Sequence, residues 1–326
     1  MSFVIGILPF VAAVCCIGFG RYHITPVESL RILISPLTGQ AVEEQAWSVV
    51  MKVRLPRILL ALFVGAGLSV SGASFQALFS NPLATPDTLG VAYGASFGAV
   101  LALLFTRNLV VVQLSALAMG LIALGGTCLI SRLNKKNTIL MIVLGGMVVS
   151  SLFQALVSLA KYVADPEEDL PAITYWLMGS MSRATYKSLA IGIPLILVGT
   201  GILLLRWRLN ILSLQEDETK ALGIDVRRLR TVVMVAATLA TASCVSLCGQ
   251  VGWIGLLIPH IARMLYGSDN RRILPASIAL GAAFLVVIDT ASRAATASEI
   301  PVSILTAVIG APFFILLLCR TGGAKL

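Results

Sequence analysis

The side chains able to bind metal, act as nucleophiles or move protons are few and scattered. Six cysteines stand at positions 15, 16, 128, 244, 248 and 319, all within or at the edge of apolar stretches. Cys244 and Cys248 share a helical face, but no further ligand completes a zinc set, so they read as small core residues. His260 follows Pro259 and has no Cys, His or carboxylate at ligand spacing, which leaves hydrogen bonding as its role. No clustered Ser/His or His/Asp constellation of a hydrolase is present. There is no G-x-x-x-x-G-K-[ST] phosphate loop either, so any ATP used must be hydrolysed by a partner. No metal site and no cofactor are expected.

What chemistry the chain offers is therefore placed charge. Arg54 and Arg57 flank Leu55-Pro56 at the head of a long apolar run. Asp289 precedes Arg293 by four residues, so the two share a helix face and are expected to pair. Glu299 stands just before Pro301 and is expected to cap or pack the next segment. Positive charges fixed at a rim steer an acidic protein and set its register. The alternative for Arg54 and Arg57 is a helix-end anchor that snorkels to lipid headgroups.

The elements that hold these charges are set by composition. Of 326 residues, 58% are hydrophobic and 12% charged, with mean hydropathy +0.95. A soluble chain is usually about 45–50% apolar and about 25% charged. Too few polar groups are present to cover a water-facing surface, whereas lipid accepts such a chain if each backbone group is bonded within a helix. The runs are too long and too free of alternation for barrel strands. Apolar segments fall near 3–20, 58–79, 90–105, 109–131, 138–160, 187–206, 229–249, 252–265, 274–292 and 303–319, ten in all. The segment 252–265 is short for a hydrocarbon core that needs about 20 residues, and reads as a short, tilted or re-entrant helix. Small-residue phrases such as Gly65-Ala66-Gly67, Ser71-Gly72-Ala73 and Gly281-Ala282-Ala283 predict close helix packing. Residues 3–20 lack a basic flank and a cleavage site, so they read as the first helix and not as a signal peptide.

An even number of spans puts both termini on one side. The Lys/Arg bias makes that side cytoplasmic, with Arg132, Lys135, Lys136, Arg206, Arg208, Arg227, Arg228, Arg271 and Arg272 inside. The net charge of +9 is then a matter of membrane orientation, and nucleic-acid binding is not needed to explain it. Two inner loops look structured. One is Asn81-Pro82-Leu83-Ala84-Thr85-Pro86, where two prolines fix the backbone. The other runs over about 212–226, where Leu214 to Gly223 read as a short amphipathic helix with an acidic start and a Gly stop.

The sequence resembles the permease subunits of bacterial type II ABC importers, which take up iron–siderophore complexes, haem and vitamin B12. The phrases that carry it are Arg54-Leu55-Pro56-Arg57, Ser71-Gly72 with Gln76, Asn81-Pro82-Leu83-Ala84 with Leu89-Gly90, and Trp176-Leu177-Met178-Gly179-Ser180. Leu222-Gly223, Gly255-Leu256-Leu257-Ile258-Pro259-His260 and Glu299-Ile300-Pro301-Val302 through Gly310-Ala311-Pro312 complete it. Each is weak alone; their order across most of the chain makes the signal.

The resemblance implies an all-α polytopic fold of about ten transmembrane helices, one permease domain spanning 1–326, in the bacterial inner membrane. It implies a second permease subunit, identical or closely similar, two cytoplasmic ATPase subunits and an extracytoplasmic substrate-binding protein. Arg54, Arg57 and Arg293 would dock the binding protein. Leu214, Glu216, Ala221, Leu222 and Gly223 would couple to the ATPase, buttressed by Pro82, Leu83 and Ala84. The cargo expected is an iron–siderophore complex, with vitamin B12, haem or an oxyanion as alternatives. A secondary transporter working without ATP would instead need midplane carboxylates or broken helices. Asp289 is the one acidic residue deep enough to consider, and its position near a helix end argues against that reading.

Overall fold

In the computed structural model, residues 2–132, 138–204, 206–213, 225–296 and 298–321 are described, and they form an all-α bundle. Six helices are long and apolar enough to cross a membrane: Glu44–Leu78, Leu109–Ser131, Leu140–Val163, Tyr186–Leu203, Val226–Cys248 and Asn270–Ala295. Four shorter apolar helices, Val4–Ile17, Val91–Leu103, Ile254–Tyr266 and Val302–Leu316, make up the rest. Each of the ten apolar segments read from the sequence falls on one of these.

In chain order the helices are α1 (Ser2–Ile17), α2 (Pro26–Thr38), α3 (Glu44–Ser48), α4 (Leu55–Leu78), α5 (Val91–Leu103), α6 (Leu109–Ser131) and α7 (Thr138–Val163). Then come α8 (Asp169–Leu177), α9 (Tyr186–Leu203), α10 (Val226–Cys248), α11 (Ile254–Tyr266), α12 (Asn270–Ala295) and α13 (Val302–Thr321). The helix starts are written locally. Thr25, Asn108, Asp225 and Asp269 each accept a backbone N–H from the first turn, and Thr185 and Ser188 form a capping box. Between α3 and α4 the chain winds as a π-helix over Val49–Arg54, so 44–78 run as one continuous rod.

Helices α4, α10 and α12 form the centre. Their apolar windows are 78, 78 and 67% buried, against 33% for α6, α7 and α9, whose outer faces meet lipid. Lipid supplies no apolar drive between helices, so the central contacts rely on small residues and close backbones. A Cβ placed on Gly65 would stand 2.2 Å from the Gly281 carbonyl oxygen, and one on Gly72 only 1.9 Å from that of Gly255. The first pins α4 to α12 and the second pins it to α11. The glycine phrases of the sequence thus mark true crossing points.

Helices α5 and α11 are 13 residues each, about 20 Å, and do not span alone. Gly255, at the head of α11, packs on Leu68 and Gly72, more than halfway along α4. Pro86, just ahead of α5, lies against the same Gly255. The two short helices therefore start deep in the bundle and run to opposite ends. A small cavity lies between their starts, lined by Leu68, Thr85, Pro86, Asp87, Thr241, Gln250 and Trp253.

Candidate functional site

At one end of the bundle, four elements meet through charge. Rewinding at the π-helical turn brings Arg54 and Arg57 to the inner face of the α3–α4 rod, where they are only 3% and 5% exposed. Arg57 donates from Nε to both oxygens of Asp289, at 2.9 and 2.8 Å, and its Nη1 lies 2.8 Å from Glu299 Oε1. Asp289 is 1% exposed and Glu299 29%, so the network has a sealed side and an open corner. A buried ionised carboxylate is costly unless paired and bonded, and Arg57 meets Asp289 with one Nε–H shared between both oxygens and with Nη2 2.8 Å from Oδ1.

The expected pairing of Asp289 with Arg293 gives way to this one. Arg293 turns instead to the end of α1 and donates to the Cys16 carbonyl at 2.7 Å, with a long contact to Thr290 Oγ1. Arg54 completes the same cap, donating to Ile17 O at 2.8 Å, Gly18 O at 2.9 Å and Tyr22 O. The last turn of α1 contains no basic residue of its own, and its final carbonyls have no helical partners. Two guanidiniums from distant segments fill that need and complement the helix dipole. Arg293 is 8% exposed, so all three arginines expected to meet a docking protein are turned into the chain. Glu299, expected to cap the following segment, is the partly exposed member of the Arg57 network. The loop beside it is tied down by Ser292, which donates to Ile300 O at 2.5 Å, and by Arg21, which donates to Thr296 O at 2.7 Å.

The opposite end holds the second candidate surface. Asn81 accepts the Leu83 N–H through Oδ1 at 2.9 Å, which sets the turn around Pro82. Leu83 is 48% exposed, Ala84 is buried and Pro82 half-buried. Ala84 and Phe79 share an apolar cluster with Leu209 and Leu212 of the 3-10 segment Arg206–Ser213. That segment is fastened to the start of α12, where Asn210 donates to Asp269 Oδ1 at 2.8 Å and accepts from the Asn270 N–H. The Asn210 amide and the Arg271 N–H hold the Asp269 carboxyl below its ordinary value. Leu214, Glu216, Ala221, Leu222 and Gly223 lie outside the described residues. The described segments on either side of them in the chain end at Ser213 and begin again at Asp225.

Beyond Ala84 the 3-10 turn Pro86–Leu89 is locked to α7. A Cβ on Gly146 would stand 1.9 Å from Thr88 O, and Ser150 donates to Asp87 O at 3.1 Å. Thr127 of α6 donates to Leu89 O at 3.0 Å. Asp87 itself lines the cavity. His260 is buried with its ring edge-on to Phe314, and no group of three or more potential metal ligands occurs among the described residues.

Comparison with known proteins adds the following. The profile of the FecCD transport family matches residues 7–320. The chain is 41% identical over 309 residues to the molybdate import system permease protein MolB of Haemophilus influenzae, covering 94% of this chain and 92% of that protein. It is 39% identical to the cobalamin import system permease protein BtuC of Halobacterium salinarum, over 90% of this chain and 79% of that protein. With the hemin transport system permease protein HmuU of Yersinia pestis it shares 32% identity, over 90% and 89%. A solved structure of an inward-facing metal-chelate type ABC transporter superposes with a TM-score of 0.89 at 39% identity, covering 98% of both chains.

Proposed function

This chain belongs to the FecCD transport family, and on that premise we propose how it works within an ATP-driven importer. It is the permease subunit of a type II ABC importer and forms the translocation pathway with a partner permease. Catalysis of ATP hydrolysis is not its task. Two cytoplasmic ATPase subunits would drive it, and an extracytoplasmic binding protein would deliver the cargo. The observation that carries this reading is the match of nearly the whole chain, in sequence and in helix arrangement, to permeases of this type.

In our reading the arginine end faces outward and both termini lie in the cytoplasm. The binding protein seats on the arginine end, with Arg54, Arg57 and Arg293 shaping that seat from beneath and Glu299 at its open corner. At the inner end, Leu214, Glu216, Ala221, Leu222 and Gly223 engage the ATPase, with Pro82, Leu83 and Ala84 supporting them. The packing of the 79–84 turn on the 206–213 segment, which immediately precedes this stretch in the chain, supports this assignment.

The cargo we propose is an iron–siderophore complex, the commonest cargo of this group. A second reading, import of an oxyanion such as molybdate, is favoured by the 41% identity to the MolB permease across 94% of this chain. Affinity would sit in the binding protein, since a tight site in the pathway would slow release. Mild detergent extraction from the native membrane, followed by mass spectrometry, is the test. Recovery of an ATPase and a binding protein supports the importer reading, and uptake of radiolabelled ferric siderophore or molybdate by the reconstituted complex separates the two cargoes. Repeated recovery of the chain without an ATPase would overturn it.

A further inference from the structure

The connection between α1 and the α3–α4 rod contains α2, a helix whose polarity is inverted for a water-exposed position. Ser29, Ile32 and Ser35 face the protein and are buried, with exposures of 0, 1 and 6%. Val27, Leu30, Ile34 and Leu37 form one stripe on the opposite face and are 73, 39, 49 and 89% exposed. Of the two charged residues, both exposed, Arg31 lies on the flank, roughly a quarter-turn from each face, and Glu28 lies in the first turn at the edge of the protein-facing side. A helix bathed in water on its free side would carry its charges there and turn its aliphatic residues inward.

We propose that α2 lies in the membrane interface at the arginine end of the bundle, with this stripe in the acyl–headgroup boundary and Glu28 and Arg31 toward water. Three observations choose lipid as the occupant. The apolar surface is continuous with that of α1, which packs against α2 and exposes Val4, Phe10 and Val11, and Phe19 in the connection is itself 58% exposed. The helix is 13 residues, about 20 Å, and stops at both ends, at the Thr25 cap and at the left-handed Gly39, so it runs along a membrane and does not cross one. Its origin is fixed at the helix ends, because Arg54 holds the carbonyls of Ile17, Gly18 and Tyr22 and Gly18 packs on Pro26. A protein face, a charged flank and an apolar free face suit a helix at the bundle's edge that meets protein, water and lipid on three sides.

The test uses the full chain in its detergent-purified complex, reconstituted into phosphatidylcholine/phosphatidylglycerol nanodiscs. Nitroxide labels go on Ile34→Cys, Leu37→Cys and Glu28→Cys, one at a time, in a background carrying Cys15→Ser and Cys319→Ser. Power saturation then compares collision with oxygen, which concentrates in lipid, and with a nickel chelate, which stays in water. The expected result is an oxygen-to-nickel ratio at 34 and 37 several-fold above that at 28. Labels at 34 and 37 shielded from both reagents would show a protein partner on this face, and free access to nickel would show water; either overturns the proposal. All three positions are exposed, so the labels leave the packed core intact, and Leu30→Cys replaces any variant that fails to assemble. The outcome does not depend on the cargo or on coupling to ATP.

Discussion

The arginines at the head of α4 illustrate how much a single side chain can hold. Removing Arg57 leaves Asp289 as a buried carboxylate without its bonded partner, and breaking such a pair typically costs about 3–5 kcal/mol. Arg57→Met is therefore expected to lower the thermal midpoint of the detergent-solubilised protein sharply. Arg57→Met with Asp289→Leu is expected to recover much of the loss, since neither charge is then stranded. Arg57→Lys is expected to rescue poorly, because one ammonium cannot reproduce the fork that meets Asp289 and Glu299 together. Equal midpoints for the single and the double variant would contradict this account.

At the scale of elements, the tight contacts are backbone against backbone. Gly146→Val drives a branched side chain into Thr88 O, and Gly65→Leu does the same to the Gly281 carbonyl. Overpacking usually costs about 1–3 kcal/mol, and with backbone as the obstacle the upper end or more is expected. Thermal shift of each purified variant checks it, and an unchanged midpoint would show that the helices separate freely. Positions and lengths of the ten apolar helices were readable in the sequence because hydropathy and small-residue phrases are local signals. Helix α2 was not, because its stripe of four aliphatic residues is interleaved with Ser29, Ser35, Glu28 and Arg31 and only burial shows which face is which. The partner of Asp289 is hidden from the sequence for a related reason. The four-residue spacing to Arg293 is a local rule, whereas Arg57 is 232 positions away and Arg293 is drawn off by a carbonyl on α1.

At the scale of the molecule, the proposed function gives the two ends different work. We expect replacement of Gly223 by a bulky residue to abolish transport-coupled ATPase activity while the complex still assembles, measured by cargo-stimulated hydrolysis in proteoliposomes. Retention of stimulation would remove the 214–223 stretch from the coupling contact. We expect Glu299→Gln to weaken association with the binding protein and to leave the thermal midpoint close to that of the parent, because Glu299 is the exposed corner of a network whose buried half stays paired. That a transporter of this family was legible in one sequence follows from motif order across the whole chain. Its cargo was not, since permeases named for molybdate, cobalamin and hemin import match it at 41, 39 and 32% identity.

The half-length helices also bear on how the chain is made. A segment of 13 residues is too short to partition stably into the bilayer by itself as it leaves the ribosome. Helix α5 is followed after a few residues by the 23-residue α6, and α11 by the 26-residue α12, each long enough to cross. Each short helix should therefore enter the membrane as half of a hairpin, drawn in when its longer successor has been synthesised. A chain ending at Leu103 and released from the ribosome would leave α5 at the membrane surface, while one extended past Ser131 would bury it.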